Sequence, residues 1–209
     1  MVVSSKNLLS IGLVAIAKNA HLLDLNLAIR TAGSKPFISQ IRRNRMKIMI
    51  CGLGRAGKDQ FAKYLGLPFQ SSSRVVLNKV LWNEWGRHNY ACKEDCFDDR
   101  ANRRMIWSGF VDDYNQHDPA RLGNIILRDN DIYVGCRDIE SLNALMAQYD
   151  NIRSIWVERP GLTDKSCDIT KQDCHTVIYN TRTKSELKAS AIELRRKIFR
   201  TKGCGYNEG

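Results

Sequence analysis

The sequence predicts an α/β domain of three layers, with helices on both faces of a parallel sheet. Short apolar runs at Lys47–Cys51, Ile132–Cys136, Arg153–Val157 and Thr176–Tyr179 alternate with stretches of helical periodicity, and no hairpin turn joins any two of them. The first run ends in the glycine-rich segment Gly52-Leu-Gly-Arg-Ala-Gly-Lys58-Asp59, and a helical pattern follows directly. The chain's 209 residues suffice for one such core and leave little room for a second full domain.

Each helix carries its own signals. Phe61, Ala62 and Leu65 keep helical spacing from about Gly57, and Gly66-Leu-Pro68 stops that helix. Ser71-Ser-Ser73 forms the N-cap of a second, with Val75, Val76, Val80, Leu81 and Trp85 apolar and Gly86 at its end. One long helix is expected from about Lys93 to Tyr114, with Met105, Ile106, Phe110 and Val111 on its apolar side. Asp118-Pro119 reads as an N-cap followed by proline at the first helical position, opening a short helix through Leu127. A helix from Ile139 to about Gln148 separates the second and third strands. Thr183-Lys-Ser-Glu186 is a capping box for a last helix with Leu187, Ala191, Leu194 and Ile198 on one face. The tail from Thr201 to Gly209 is glycine-rich and expected to fray.

Charge is unevenly placed. The formal net charge is +11, and residues 1–45 supply +6 of it through seven basic residues against Asp24 alone. The +5 left on the remainder suits a protein that handles anionic nucleotides. No basic–aromatic alternation accompanies the charge, which argues against nucleic acid as partner. Residues 8–17 form a ten-residue apolar run, too short to span a bilayer but similar to the core of a signal peptide. Met46 stands directly before the first strand, so residues 1–45 read as an upstream-start product or a poorly ordered extension. Seven irregularly spaced cysteines without a CxxC pair indicate neither a zinc site nor a disulfide framework, and so a reduced, cytoplasmic compartment. His88, Cys92 and Cys96 fall at i, i+4 and i+8 of a prospective helix, but a fourth metal ligand is missing.

The chemistry sits in the glycine-rich segment. It fits the phosphate-binding loop G-x-x-x-x-G-K and departs only at Asp59, where serine or threonine is usual. Glycines let the backbone wrap a phosphate with its N–H groups pointing inward, and the next helix offers its N-terminus to the same anion. Gly52, Gly54, Arg55, Ala56, Gly57, Lys58, Asp59 and Gln60 are therefore the expected nucleotide contacts, with Lys58 on the β and γ phosphates. Asp59 either ligates Mg²⁺ or favours the helix N-terminus through the macrodipole.

Over roughly Met46–Lys202 the sequence resembles the P-loop deoxynucleoside monophosphate kinases and adenylate-kinase-like proteins of tailed phages. Four blocks carry the resemblance: the Gly-Lys-Asp loop, Asp131-Ile-Tyr-Val-Gly-Cys-Arg137 with Glu140, Ile155-Trp-Val157 leading to Arg159-Pro160, and Thr176-Val-Ile-Tyr-Asn180 before the capped helix. Gly135 departs from it where relatives often place an acid, leaving only Asp138 nearby, and Gln60 stands where threonine is common. The resemblance implies transfer of the ATP γ-phosphoryl to a nucleoside monophosphate, with ATP and Mg²⁺ as cofactors. It implies catalytic roles for Lys58, Arg137 and Arg159, a place for Asn180 beside the adenine, and a short lid over residues 158–168. A helical insertion over about 69–128 would hold the acceptor, with Ser71, Ser72, Ser73, Arg74 and Arg121 as candidates and Arg100, Arg103 and Arg104 behind them. Trp82, Trp85 and Trp107 are expected in the core. The rival readings are a P-loop protein that binds nucleotide without transferring phosphate, and a nucleic-acid end kinase.

Overall fold

The structure, a computed structural model, describes residues 45–181 and 183–200. The expectations for residues 1–44 and for the tail lie outside the described residues. In chain order the elements are β1 (Lys47–Cys51), α1 (Lys58–Leu65), β2 (Phe69–Ser71), a long helix α2, α3 (Lys93–Asp98), α4 (Arg104–Asn115), α5 (Arg121–Asp129), β3 (Ile132–Cys136), α6 (Ile139–Gln148), β4 (Ile152–Glu158), β5 (Thr176–Tyr179) and α7 (Lys184–Arg200). Helix α2 runs through Ser72–Val76, a π-wound stretch Leu77–Gly86, and Arg87–Asn89. Its buried residues Leu77, Leu81 and Gly86 are spaced by four and five, which suits i→i+5 winding.

All four strand pairings are parallel, in the order β2-β3-β1-β4-β5. The central strand β1 is buried along its whole length, because both faces of the sheet are covered. Ile48 and Ile50 point to one face and pack with Phe61, Ala62 and Leu65 of α1 and Leu187 and Ala191 of α7. Met49 and Cys51 point to the other, where α2, α5 and α6 contribute Leu77, Leu81, Leu122, Ile126, Leu142 and Leu145. The sequence alternation is thus a two-sided core: a three-layer α/β fold with the glycine-rich loop between β1 and α1, the P-loop NTPase architecture.

Three expectations need correction. The segment after Pro68 is not wholly helical: Phe69–Ser71 adds a fifth strand in register with Ile132–Val134. The expected helix from Lys93 to Tyr114 breaks at a 3₁₀ turn, Asp99–Ala101. The Asp99 carboxylate accepts from Tyr90 Oη and Asn102 Nδ2, each at 2.6 Å, and from Arg103 Nε at 3.3 Å. Such side-chain bonds compete with the helical ladder. The helix expected from Pro119 begins at Arg121, after Asp118 Oδ1 accepts the Ala120 amide at 2.9 Å.

The caps predicted at Ser71 and at Thr183–Glu186 do form. Ser71 Oγ accepts from the Arg74 amide, and Thr183 and Glu186 exchange both capping-box bonds at 3.3 Å. His88 does not share a helix with Cys92 and Cys96, because the chain leaves helical conformation after Asn89 and Cys92 is the N-cap of α3. Trp107 is buried, and Trp82 and Trp85 pack partly buried against the same core.

Candidate functional site

Because every strand is parallel, the segments that leave the strands gather along one edge of the sheet. The P-loop follows β1, Arg137 follows β3, Arg159 follows β4, Asn180 follows β5, and Ser71 closes β2. Ligands of open α/β sheets bind at this edge. A cleft of about 590 Å³ lies there, lined by Gly54, Arg55, Gly57, Lys58, Asp59 and Gln60 on one side. Ser71, Ser72, Ser73, Arg100, Arg104, Trp107 and Asp112 line the other, with Gly135, Arg137, Asp138 and Ser166 completing it. Its volume falls within the usual range for small-molecule sites.

The loop's shape depends on its glycines. Gly52 has φ +133°, and a Cβ there would lie 2.6 Å from the Val157 carbonyl oxygen. Gly57 has φ +96°, and a Cβ would lie 2.5 Å from Asn180 Nδ2. Arg55, at φ 64°, is the one non-glycine with positive φ among the described residues, so the crown of the loop carries a strained backbone.

Lys58 is buried and donates to the Gly52 carbonyl at 2.7 Å and to the Leu53 carbonyl at 2.6 Å. Burial, then the nearby charge of Arg137, pushes its pKa down to about 8. Asp59 is exposed in the first turn of α1 and lines the cleft, where a carboxylate oxygen suits a hard cation. Asp138 is committed elsewhere: it caps α6, accepting from the Glu140 and Ser141 amides and from Ser141 Oγ at 2.6 Å.

Of the predicted arginines, Arg137 reaches the heart of the site. Its guanidinium goes to Asp164 at 2.5 Å and to Ser166 Oγ at 2.9 Å rather than to Glu140. Arg159 lies exposed against the crown of the loop, donating to the Arg55 carbonyl at 3.3 Å. Asn180 ties β5 to the loop by donating to the Ala56 carbonyl at 2.8 Å. Ser72 is buried and donates to the Gly135 carbonyl at 3.0 Å, where Gly135 takes φ +93°. Two expected acceptor contacts do not reach the cleft. Arg74 pairs with Glu94 and covers the Phe97 ring at 3.7 Å. Arg121 lies on Tyr114, 4.3 Å from the ring centre, and donates to the Tyr114 carbonyl.

Two residues stand out: Asp164, which sequence reasoning passed over, and Arg104, which it named only among several further arginines. Asp164, in the loop after β4, is bonded to the Gly54 amide at 3.0 Å, to Arg137, and to Arg104 from α4. Arg104 had no signal to separate it from its neighbours Arg100 and Arg103. Asp164 lay inside the expected lid, but nothing in its local sequence pointed to the P-loop 110 residues away.

No family model matches the sequence, and none of the curated proteins does. Among solved structures the chain is similar to a shikimate kinase from Aquifex aeolicus, at 12% identity and TM-score 0.40, over 76% of this chain and 100% of that one. It is similar to a sugar kinase from Janibacter sp., at 12% and 0.39, over 71% and 92%. A gluconokinase from Sinorhizobium meliloti gives 11% and 0.39, over 76% and 98%. The fold assignment stands on this chain's own sheet order and loop. No described helix is long and apolar enough to cross a membrane.

Proposed function

We propose that the chain is a phosphotransferase that moves the γ-phosphoryl of ATP to a nucleoside monophosphate. The observation that carries the reading is a single cleft in which the P-loop with Lys58 faces Arg104, Arg137 and the Ser71–Ser73 segment. Phosphoryl transfer asks little covalent chemistry of a protein; it needs in-line positioning and positive charge where negative charge spreads. The P-loop amides and Lys58 hold the nucleotide phosphates. Arg137, anchored at the end of a central strand, meets the transferring group, and guanidinium forks suit its oxygens. The acceptor lies toward Ser71–Ser73 and α4, and residues 158–168 form the lid above it, with Arg159 on the crown of the loop. Asn180, bonded to the loop at Ala56, flanks the adenine side.

Mg²⁺ fits the donors present, with the exposed Asp59 carboxylate in the cleft and the nucleotide's own phosphates completing the shell. When bound, the ion would neutralise charge on the β and γ phosphates. The test is a coupled assay for ADP release with Mg-ATP and each of the eight common monophosphates, comparing wild type with Lys58→Ala. Turnover on one or two acceptors, lost in the variant, is expected. ATP binding without turnover on any would leave a nucleotide-binding protein that transfers nothing.

A further inference from the structure

The best donors in the cleft are bonded to a carboxylate of the chain itself. Asp164 Oδ2 accepts from the Gly54 amide at 3.0 Å, from Arg137 Nη1 at 2.5 Å, and from Arg104 Nη1. Oδ1 accepts from the Ser166 amide at 3.2 Å and Ser166 Oγ at 2.7 Å. The Asp164 side chain is 2% exposed, while those of Arg104 and Arg137 are 30% and 29% exposed. A carboxylate so stripped of water persists only when charge-assisted bonds repay its desolvation. Here they do: burial pulls its pKa up, yet the Ser166 hydroxyl, the Arg137 charge and the Gly54 amide outweigh burial and hold it far below the usual carboxylate range.

These donors match a phosphoryl group as well as a carboxylate. A P-loop amide and two guanidiniums converge on one oxygen, the constellation that favours tetrahedral oxyanions. They also come from opposite walls, Gly54 from the P-loop, Arg137 from the end of β3, and Arg104 from α4 on the acceptor side. Arg104 sits directly over Gly54, where even a Cβ would strike its guanidinium.

We propose that the Gly54 amide, Arg104 and Arg137 are the seat of the transferred phosphoryl group, and that Asp164 is a built-in stand-in that must leave this seat when the nucleoside triphosphate enters. The inference rests on the phosphotransfer reading above, but concerns binding and not turnover. It makes Arg104 a direct phosphoryl ligand supplied by the acceptor side of the cleft. Asp164 screens two guanidiniums from each other and holds the loop after β4 against the P-loop through one exchangeable bond set. Because the two anions compete, apparent affinity for the triphosphate falls by the fraction of molecules with the seat free. A stand-in seated in nine molecules of ten costs about ten-fold, and in ninety-nine of a hundred about a hundred-fold.

The experiment is calorimetric titration of the full chain with Mg-ATP and with Mg-ADP, in wild type, Asp164→Asn, Asp164→Ser, Arg104→Ala and the Asp164→Asn/Arg104→Ala double variant. Both Asp164 variants should bind ATP about ten-fold tighter or more, with ADP affinity little changed, since ADP lacks the phosphoryl that takes the seat. Arg104→Ala should weaken ATP about ten-fold and ADP little, and the double variant should lose the tightening. Melting without nucleotide should drop in the Asp164 variants while the ATP-induced rise in Tm grows, which a purely structural carboxylate would not produce. Unchanged or weaker ATP binding in both Asp164 variants overturns the proposal, making Asp164 a fixed positioning group for the arginines. Tighter ATP binding with no turnover on any acceptor would uphold the seat and sink the kinase reading instead.

Discussion

Lys58 provides a pH signature of nucleotide binding. In the protein alone its pKa stands at about 8, because burial and the charge of Arg137 outweigh the nearby Asp59 carboxylate that favours the ammonium form. Phosphate oxygens arriving at Nζ raise the pKa, so the bound form is charged throughout the range considered. Binding above pH 8 must therefore take up a proton, and affinity must fall as pH rises. At a pKa of about 8, roughly three-quarters of the free protein carries the charge at pH 7.5 and about one-tenth at pH 9.0. The Kd for ATP should thus rise about eight-fold between those values, or about 1.2 kcal/mol. Phosphate oxygens are already ionised there and add no slope of their own. The assay is titration calorimetry at pH 7.5, 8.5 and 9.0 in two buffers of different ionisation enthalpy. At pH 8.5 it should show uptake of about three-quarters of a proton per ATP. Lys58→Arg is the control, since a guanidinium stays charged throughout. A flat Kd in wild type, or the same slope in Lys58→Arg, would refute the assignment of Lys58 to the phosphates.

Other substitutions probe the frame around the site. Gly57→Ala meets both an unfavourable φ of +96° and Asn180 Nδ2, and should cost about 2 kcal/mol in urea unfolding along with measurable ATP binding. Arg55→Gly relieves the positive φ at the loop's crown, so it should raise stability by about 1 kcal/mol while weakening ATP. At the opposite end of β1, Lys47 is buried beside Asp131, with Nζ 2.8 Å from the Asn130 carbonyl and 3.5 Å from Asp131 Oδ1. Asp131→Ala should destabilise by about 3 kcal/mol, read as a lower urea midpoint at unchanged m-value, because a buried charge loses its counter-ion.

What was legible in the sequence follows from what is local. Strands β1 and β3, and the Ile155–Val157 stretch of β4, announced themselves because burial on both faces makes each an apolar run. The P-loop was legible because phosphate wrapping imposes glycines at fixed spacing. Strand β2 left no such trace: three half-buried residues at the sheet's edge have no period to detect. The break in the helix from Lys93 was hidden because Asp99 acts through Tyr90, nine residues earlier and outside that helix. The arginines divided by partner. Arg137 was placed by topology, at the end of a strand beside β1. Arg121 and Arg74 were placed by chance neighbours, Tyr114, Phe97 and Glu94, that no spacing rule foresees. Asp164 and Arg104 meet across 60 residues, and only the folded chain brings them together.

The same contacts bear on what the cleft can recognise. Phe97 is the cleft's partly exposed phenyl ring, a ready platform for a base. Yet guanidinium carbons of Arg74 and Arg100 lie 3.7 and 3.9 Å from its centre, so the ring is already engaged by two cations. A stacked base would have to displace a cation–π contact worth about 1 kcal/mol, with little net gain. On the proposed function, recognition of the acceptor would rest on charge and hydrogen bonds, from Arg100, the Ser71–Ser73 segment, Asp112 and Asn115 in the cleft lining. It also separates this site from a single-strand binder, which needs a sequence of exposed aromatic faces along an open groove. The basic surplus outside the cleft is concentrated in residues 1–45, so any strand binding should vanish when they are removed, while ATP binding, which the proposed function assigns to Lys58, Arg104 and Arg137, should not.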